Sequence, residues 1–283
     1  MPGVVSGSRF GTVFVMRTPP VILSIAGYDP SSGAGVTADI KTAAAMGCYA
    51  VTCITALTVQ TTQGVFAVQA VDPELVSKTL VALAQDVEIA AVRIGMLGTG
   101  EVATVVKDFL DSQRPANVVL DPVIVSSSGH ALLDDAGIEV VREMLPLCDV
   151  ITPNIYEAGI LAGKADWLIH QANWLSAMRR LTAALRNYGA KAVVITGGHL
   201  EPPNDYLSDC RSGHAQEEVF AGEHIDSRST HGTGCTFATA LAGHLAKGMT
   251  LPRAVGAAKE FVARAIRSAY PLGKGTGPVN QFG

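Results

Sequence analysis

Short runs of β-branched and aliphatic residues alternate with longer stretches in which apolar residues recur every three or four positions, almost to the end of the chain. The short runs predict strands at Val21–Ala26, Val51–Thr55, Gly64–Val71, Ala91–Ile94, Asn117–Leu120, Asp149–Ile151 and Ala192–Thr196. The longer stretches predict helices at Val36–Met46, Pro73–Gln85, Thr99–Leu110, Asp134–Met144, Ala172–Tyr188, Cys235–Ala246 and Pro252–Ser268. Strands such as NVVL and AVVIT are apolar at every position, which suits burial on both faces of a parallel sheet. An α/β chain of this order implies a central, mostly parallel sheet with helices on both faces, joined by right-handed crossovers. The polar segment Glu201–Asp226 carries Pro202-Pro203 and short strand-like pieces, and reads as a hairpin region at the sheet edge. With no linker or repeat in sight, residues 21–283 read as one domain. Residues 1–20 read as a loose N-terminal extension.

Composition narrows the classes. With 48% apolar and 16% charged residues among 283, the chain is too hydrophobic for extended disorder. A formal net charge of −4 and the lack of any basic run argue against a nucleic-acid partner. The apolar run Phe10–Met16 is short, flanked by Arg9 and Arg17, and has no small-residue cleavage site, so it does not read as a signal peptide. No stretch is long enough to span a bilayer. Five cysteines with no C-x-x-C pair argue against a disulfide framework or a zinc site and fit a reducing, cytoplasmic setting.

Ligands of open parallel sheets gather beyond the carboxyl ends of the strands. The residues that follow the predicted strands are Gly27-Tyr28-Asp29-Pro30-Ser31-Ser32-Gly33-Ala34-Gly35, Gln60, Gly95-Met96, Asp121-Pro122-Val123, Thr152-Pro153-Asn154 and Gly197-Gly198-His199. Each alone suits a turn; their recurrence at one sheet edge suggests a site. The most specific piece is Ser229-Thr230-His231-Gly232-Thr233-Gly234-Cys235 ahead of a helix, where backbone N–H groups would gather negative charge. It is no Walker loop, and Phe237 stands where a dinucleotide fingerprint has its third glycine. Cys235 at that helix start is a candidate base or nucleophile, its thiolate favoured by the helix dipole; the plainer role is a small buried apolar residue. Asn154 and Glu157 fit a helix cap with Glu at the third position, and equally a pair organising hydrated Mg²⁺ with Asp121 as a second acidic group. His199 and His231 suit hydrogen bonding. Met96 and Val123 would line a small apolar slot, with ordinary core packing as the default, and Gln60 could pair with a polar heterocycle edge.

Together these segments resemble the hydroxymethylpyrimidine/phosphomethylpyrimidine kinases of thiamine biosynthesis, in the ribokinase-like superfamily. The matching stretches are SIAGYDPSSGAGVTADIKT, TCITALTVQTTQGV, IGML, DPV, SSSG, TPNIYEA, TGGH, THGTGC and GKGTGPVN, in order from Val21 onward. The resemblance implies a three-layer α/β/α fold and ATP-dependent phosphorylation of 4-amino-5-hydroxymethyl-2-methylpyrimidine, then of its monophosphate to the diphosphate. It implies that Gly27, Asp39, Gln60, Met96 and Val123 hold the pyrimidine, and that Cys235 activates the alcohol beside an anion hole of Gly232, Thr233 and Gly234. Asn154, Thr196, Gly198 and Thr230 would serve ATP, and Asp121 and Glu157 the Mg²⁺. Family members are commonly homodimers. Three positions depart from the family pattern: Thr196 and Ser127 stand where lysine is usual, and Ser32 where glycine is usual. A pyridoxal kinase of the same fold, or a pyrimidine-binding protein without turnover, are the competing readings.

Overall fold

The computed structural model describes residues 18–126, 129–164 and 173–283. In chain order the elements are β1 (Val21–Tyr28), α1 (Gly35–Ala45), β2 (Tyr49–Thr61), β3 (Gly64–Ala70), α2 (Pro73–Asp86), β4 (Ile89–Ile94), α3 (Gly100–Gln113), β5 (Val118–Leu120), α4 (Asp135–Met144), β6 (Val150–Ile151), α5 (Ile155–Leu161), α6 (Trp174–Asn187), β7 (Ala192–Ile195), β8 (Asp205–Asp209), β9 (Gln216–Phe220), α7 (Thr233–Ala246) and α8 (Leu251–Arg267). A short 3-10 turn covers Leu145–Leu147.

Successive side chains of a strand point to opposite faces, and this period of two decides the layering. Leu23 and Ile25 of β1, Val92 and Ile94 of β4, and Val193 and Ile195 of β7 pack into one cluster with α2, α3, α4, α5 and α6. Ile22, Ala91, Ala192 and Val194, on the other face, pack into a second cluster with α1, α7 and α8. The result is three layers, α/β/α. Among the described residues the sheet runs β3-β2-β1-β4-β5-β6-β7-β8-β9. The inner strands are parallel. The outer pairs β2–β3, β7–β8 and β8–β9 are antiparallel. The strand order reverses between β1 and β4, which opens a crevice at their carboxyl ends.

The expected hairpin at the edge is β8–β9. The expected strand Val51–Thr55 is instead one part of a thirteen-residue strand. Its first part pairs with β1 as far as Leu57, and its end pairs with β3 as a two-stranded flap. Gln60 therefore lies inside a strand, not after one, because the β-branched alternation continues past Thr55 without a breaker. Residues 1–17, Ser127 and Ala172 lie outside the described residues. No described helix is long and apolar enough to cross a membrane, and all five cysteines are free.

Candidate active site

The crevice is a cavity of about 430 Å³ bounded by the exits of β1, β4, β5, β6 and β7, by the β2–β3 flap and by the start of α7. Thirteen of the expected site residues line it: Gly27, Gln60, Met96, Asp121, Val123, Asn154, Glu157, Thr196, Thr230, Gly232, Thr233, Gly234 and Cys235. Met96 belongs to a small apolar group with Ala56 and Leu132, against which Val65, Val68 and Val123 pack. Met96 and Val123 thus share an apolar part of the cavity wall.

Two expected residues do not reach the wall. Gly198 is exposed and outside the cavity. Asp39 is completely buried behind the wall. It accepts 2.6 Å hydrogen bonds from Ser24 Oγ and Thr239 Oγ1. Its Oδ2 lies 3.2 Å from Nη1 of Arg93.

Arg93, which lies in none of the sequence motifs, organises the floor. The alternation that buries Val92 and Ile94 on one face turns Arg93 to the other, toward α1 and α7, where its register partner on β1 is Ser24. Its Nη2 donates to Asp121 Oδ2 at 2.7 Å. A methyl group on Gly95 would meet this guanidinium at 1.9 Å, so the turn after β4 has room for Arg93 only because residue 95 has no side chain. A charged residue inside an otherwise apolar strand, A-A-V-R-I, was the available signal. Such a residue is almost never buried without a partner.

The electrostatics follow from this crowding. Burial pushes the Asp121 carboxyl up to about 6, against the pull of Arg93 and with help from Asp39. Burial first, then the charge of Asp121, pushes Glu157 up to about 8. Two neighbouring carboxylates raised in this way indicate a local excess of negative charge, a donor set that fits a hard divalent cation with phosphate oxygens and water completing its shell. No group of three or more metal-ligating side chains occurs among the described residues. The site thus suits a metal shared with a ligand more than a closed protein cage.

Asn154 and Glu157 form the helix cap that their spacing predicts. Asn154 Oδ1 accepts from the N–H groups of Tyr156 and Glu157, and Glu157 Oε2 accepts from the N–H of Asn154 at 2.9 Å. That is a complete capping box on α5. Both residues also line the cavity.

At the start of α7, Gly232 caps the helix with φ +84°. A side chain there would lie 1.8 Å from the Gly33 carbonyl oxygen. Asp29, also missed as a site residue, fixes the facing loop. It accepts from Ser31 N–H and Oγ, from Gly33 N–H and from Ala34 N–H. His231 Nε2 reaches Asp29 Oδ2 at 2.8 Å and the Gln60 amide at 3.2 Å. His231, read as a hydrogen-bonding residue, thus ties the first glycine loop, β2 and the glycine turn ahead of α7 together. His199 stacks edge-on with Tyr156, 5.3 Å between ring centres, and stays outside the cavity.

Cys235, the third residue of α7, opens on the cavity with the Arg93 guanidinium beside it. The expected dipole-stabilised thiolate is not what the surroundings favour. Burial raises the thiol to about 11, and the opposing pull of Arg93 is partly cancelled by Asp121 and Asp39. In the free protein this sulfur carries its proton at neutral pH.

A family model described as phosphomethylpyrimidine kinase matches residues 29–280. A hydroxymethylpyrimidine/phosphomethylpyrimidine kinase from Rhizobium meliloti (strain 1021) is 41% identical, over 93% of this chain and 97% of the relative. Among solved structures, a phosphomethylpyrimidine kinase from Clostridium difficile 630 matches with a TM-score of 0.75 and 34% identity, covering 87% of this chain and 99% of the other. A pyridoxal kinase from Bacillus subtilis, solved as an ADP complex, matches with a TM-score of 0.81 and 32% identity, covering 93% and 98%.

Proposed function

The chain belongs to the phosphomethylpyrimidine kinase family, and from that premise we propose that it phosphorylates 4-amino-5-hydroxymethyl-2-methylpyrimidine with ATP and then converts the monophosphate to the diphosphate. The observation that carries this reading is the union, in one cavity, of an apolar ring slot, a glycine-lined helix start and a paired-carboxylate site. Phosphoryl transfer asks the protein mainly for positioning and charge neutralisation. Met96, Val123 and Gln60 hold the ring, with Gly27 at its edge. Backbone N–H groups of Gly232, Thr233 and Gly234 meet the migrating phosphoryl group, and Cys235 faces the acceptor hydroxyl. Asp39 acts through Arg93 from behind the wall. Asn154, Thr196 and Thr230 flank the nucleotide phosphates. Asp121 and Glu157 would hold Mg²⁺, which supplies charge neutralisation when bound. Residues 21–283 act as one kinase domain, and two copies associate as a homodimer.

A coupled assay with Mg-ATP tests the proposal. Formation of ADP with hydroxymethylpyrimidine, and product at both phosphorylation levels, is expected; no ADP above background would overturn it. The Bacillus subtilis pyridoxal kinase likeness makes pyridoxal the competing acceptor, and a higher kcat/KM for pyridoxal would establish that second reading.

A further inference from the structure

The second transfer poses a charge problem that the cavity wall does not solve. Its acceptor is a phosphomonoester carrying nearly two negative charges at neutral pH. It must share the cavity with a nucleotide triphosphate. Among the described residues the wall carries the carboxylates Asp29, Asp121 and Glu157, and against them only the guanidinium of Arg93 and the imidazole of His231. Both are engaged, Arg93 by Asp39 and Asp121 and His231 by Asp29. No lysine is among the described lining residues. Beyond the Mg²⁺ assigned to Asp121 and Glu157, a side-chain cation for the acceptor's phosphate has to come from the rim.

The rim offers one on the segment Gly273-Lys274-Gly275-Thr276-Gly277. Thr62 and Thr276 both line the cavity. The N–H of Gly275 donates to Thr62 Oγ1 at 3.2 Å. A Cβ on Gly273 would lie 2.2 Å from that same oxygen, and one on Gly275 would lie 2.0 Å from the Thr62 carbonyl oxygen. The backbone on either side of Lys274 is thus pressed onto the cavity wall, as only glycine allows. The segment is also tied to the anion hole, since His231 N–H donates to the Gly277 carbonyl at 2.9 Å and Val279 N–H to the His231 carbonyl at 3.2 Å. Lys274 is exposed and makes no ion pair with a described residue. Lys41 and Lys259 are already engaged, at the Ser32 carbonyl and at Asp205.

We propose that this glycine-rich strap is the subsite for the phosphate of a phosphomonoester acceptor, with the Lys274 ammonium and the Thr276 hydroxyl as its ligands. The proposal rests on the kinase reading above. A non-bridging oxygen of the bound phosphate attacks the γ-phosphorus while the bond to the ADP oxygen breaks. A dianionic acceptor brings its own electron pair, so no proton has to be removed in this step.

The test compares wild type, Lys274→Ala and Lys274→Arg with hydroxymethylpyrimidine and with its monophosphate as acceptors. Loss of one charge-assisted contact should lower kcat/KM for the monophosphate by about 10- to 100-fold, mainly through KM. The hydroxymethylpyrimidine value should fall by less than about threefold, and arginine should restore most of the loss. Equal changes with both acceptors, or none with the monophosphate, overturn the proposal. Calorimetric titration of the monophosphate into each protein without ATP supplies a readout independent of turnover. Unchanged affinity in Lys274→Ala overturns the strap, whereas a wild type that binds the monophosphate yet never turns over overturns the kinase reading alone.

Discussion

Cys235 keeps its proton at neutral pH because burial outweighs the adjacent guanidinium. If its thiolate accepts the alcohol's proton, only a small fraction of the enzyme is competent at pH 7, and that fraction grows tenfold per pH unit until about pH 10. The first transfer should therefore accelerate with pH, and Cys235→Ser should abolish that rise while leaving pyrimidine binding nearly intact. The second transfer, with its ionised acceptor, should show neither effect. Profiles of kcat against pH for both acceptors check this, and a flat first-step profile in wild type removes Cys235 as the base. Glu157 has the opposite consequence for stability. Its carboxyl titrates near 8 when folded against 4.5 for an ordinary glutamate. The folded protein binds the proton more tightly, so the contribution is full below about pH 4.5 and is lost as pH rises toward 8. In chelator-treated buffer, the unfolding free energy of Glu157→Gln relative to wild type should grow between pH 5 and pH 8. Mg²⁺ should narrow the difference by stabilising wild type. Urea unfolding at the two pH values measures both effects.

The loop between β1 and α1 shows how local chemistry and backbone geometry divide the work. Asp29 gathers four donors from that loop, yet Ser32 sits at φ +62°, a conformation that disfavours any residue with a Cβ. Ser32→Gly is expected to raise the unfolding free energy by about 1 kcal/mol, read from a denaturant midpoint. A loss of stability would mean that the serine side chain contributes more than the backbone strain removes. Elements whose signals are local could be read from sequence. The capping box of α5 spans four residues, and α7 begins at its glycine turn, two residues ahead of the expected Cys235. What could not be read depends on partners far along the chain. Arg93 has meaning only beside Asp39 and Asp121, which reach it from α1 and from the exit of β5. Asp39 has the chemistry of a ligand, but its place on the inner side of α1 spends its acceptors on Ser24 and Thr239. The full length of β2 was hidden because nothing in its alternation marks where one partner strand replaces another.

At the scale of the molecule, the β2–β3 flap has two unlike faces. Gln60 and Val65 contribute to the cavity, whereas Leu57, Val59 and Phe66 are exposed. A patch of this kind can meet its own copy across a two-fold axis. Sedimentation should give the mass of two chains, and Phe66→Glu should shift it toward one; a wild type of single-chain mass would refute the homodimer. The last feature is the tie between His231 and residues 277 and 279, reinforced by burial of Val279 and Gln281. The turn ahead of α7 is therefore held by a partner that the chain supplies only after α8. A change in residues 277–281 should be felt at the cavity although none of them lines it.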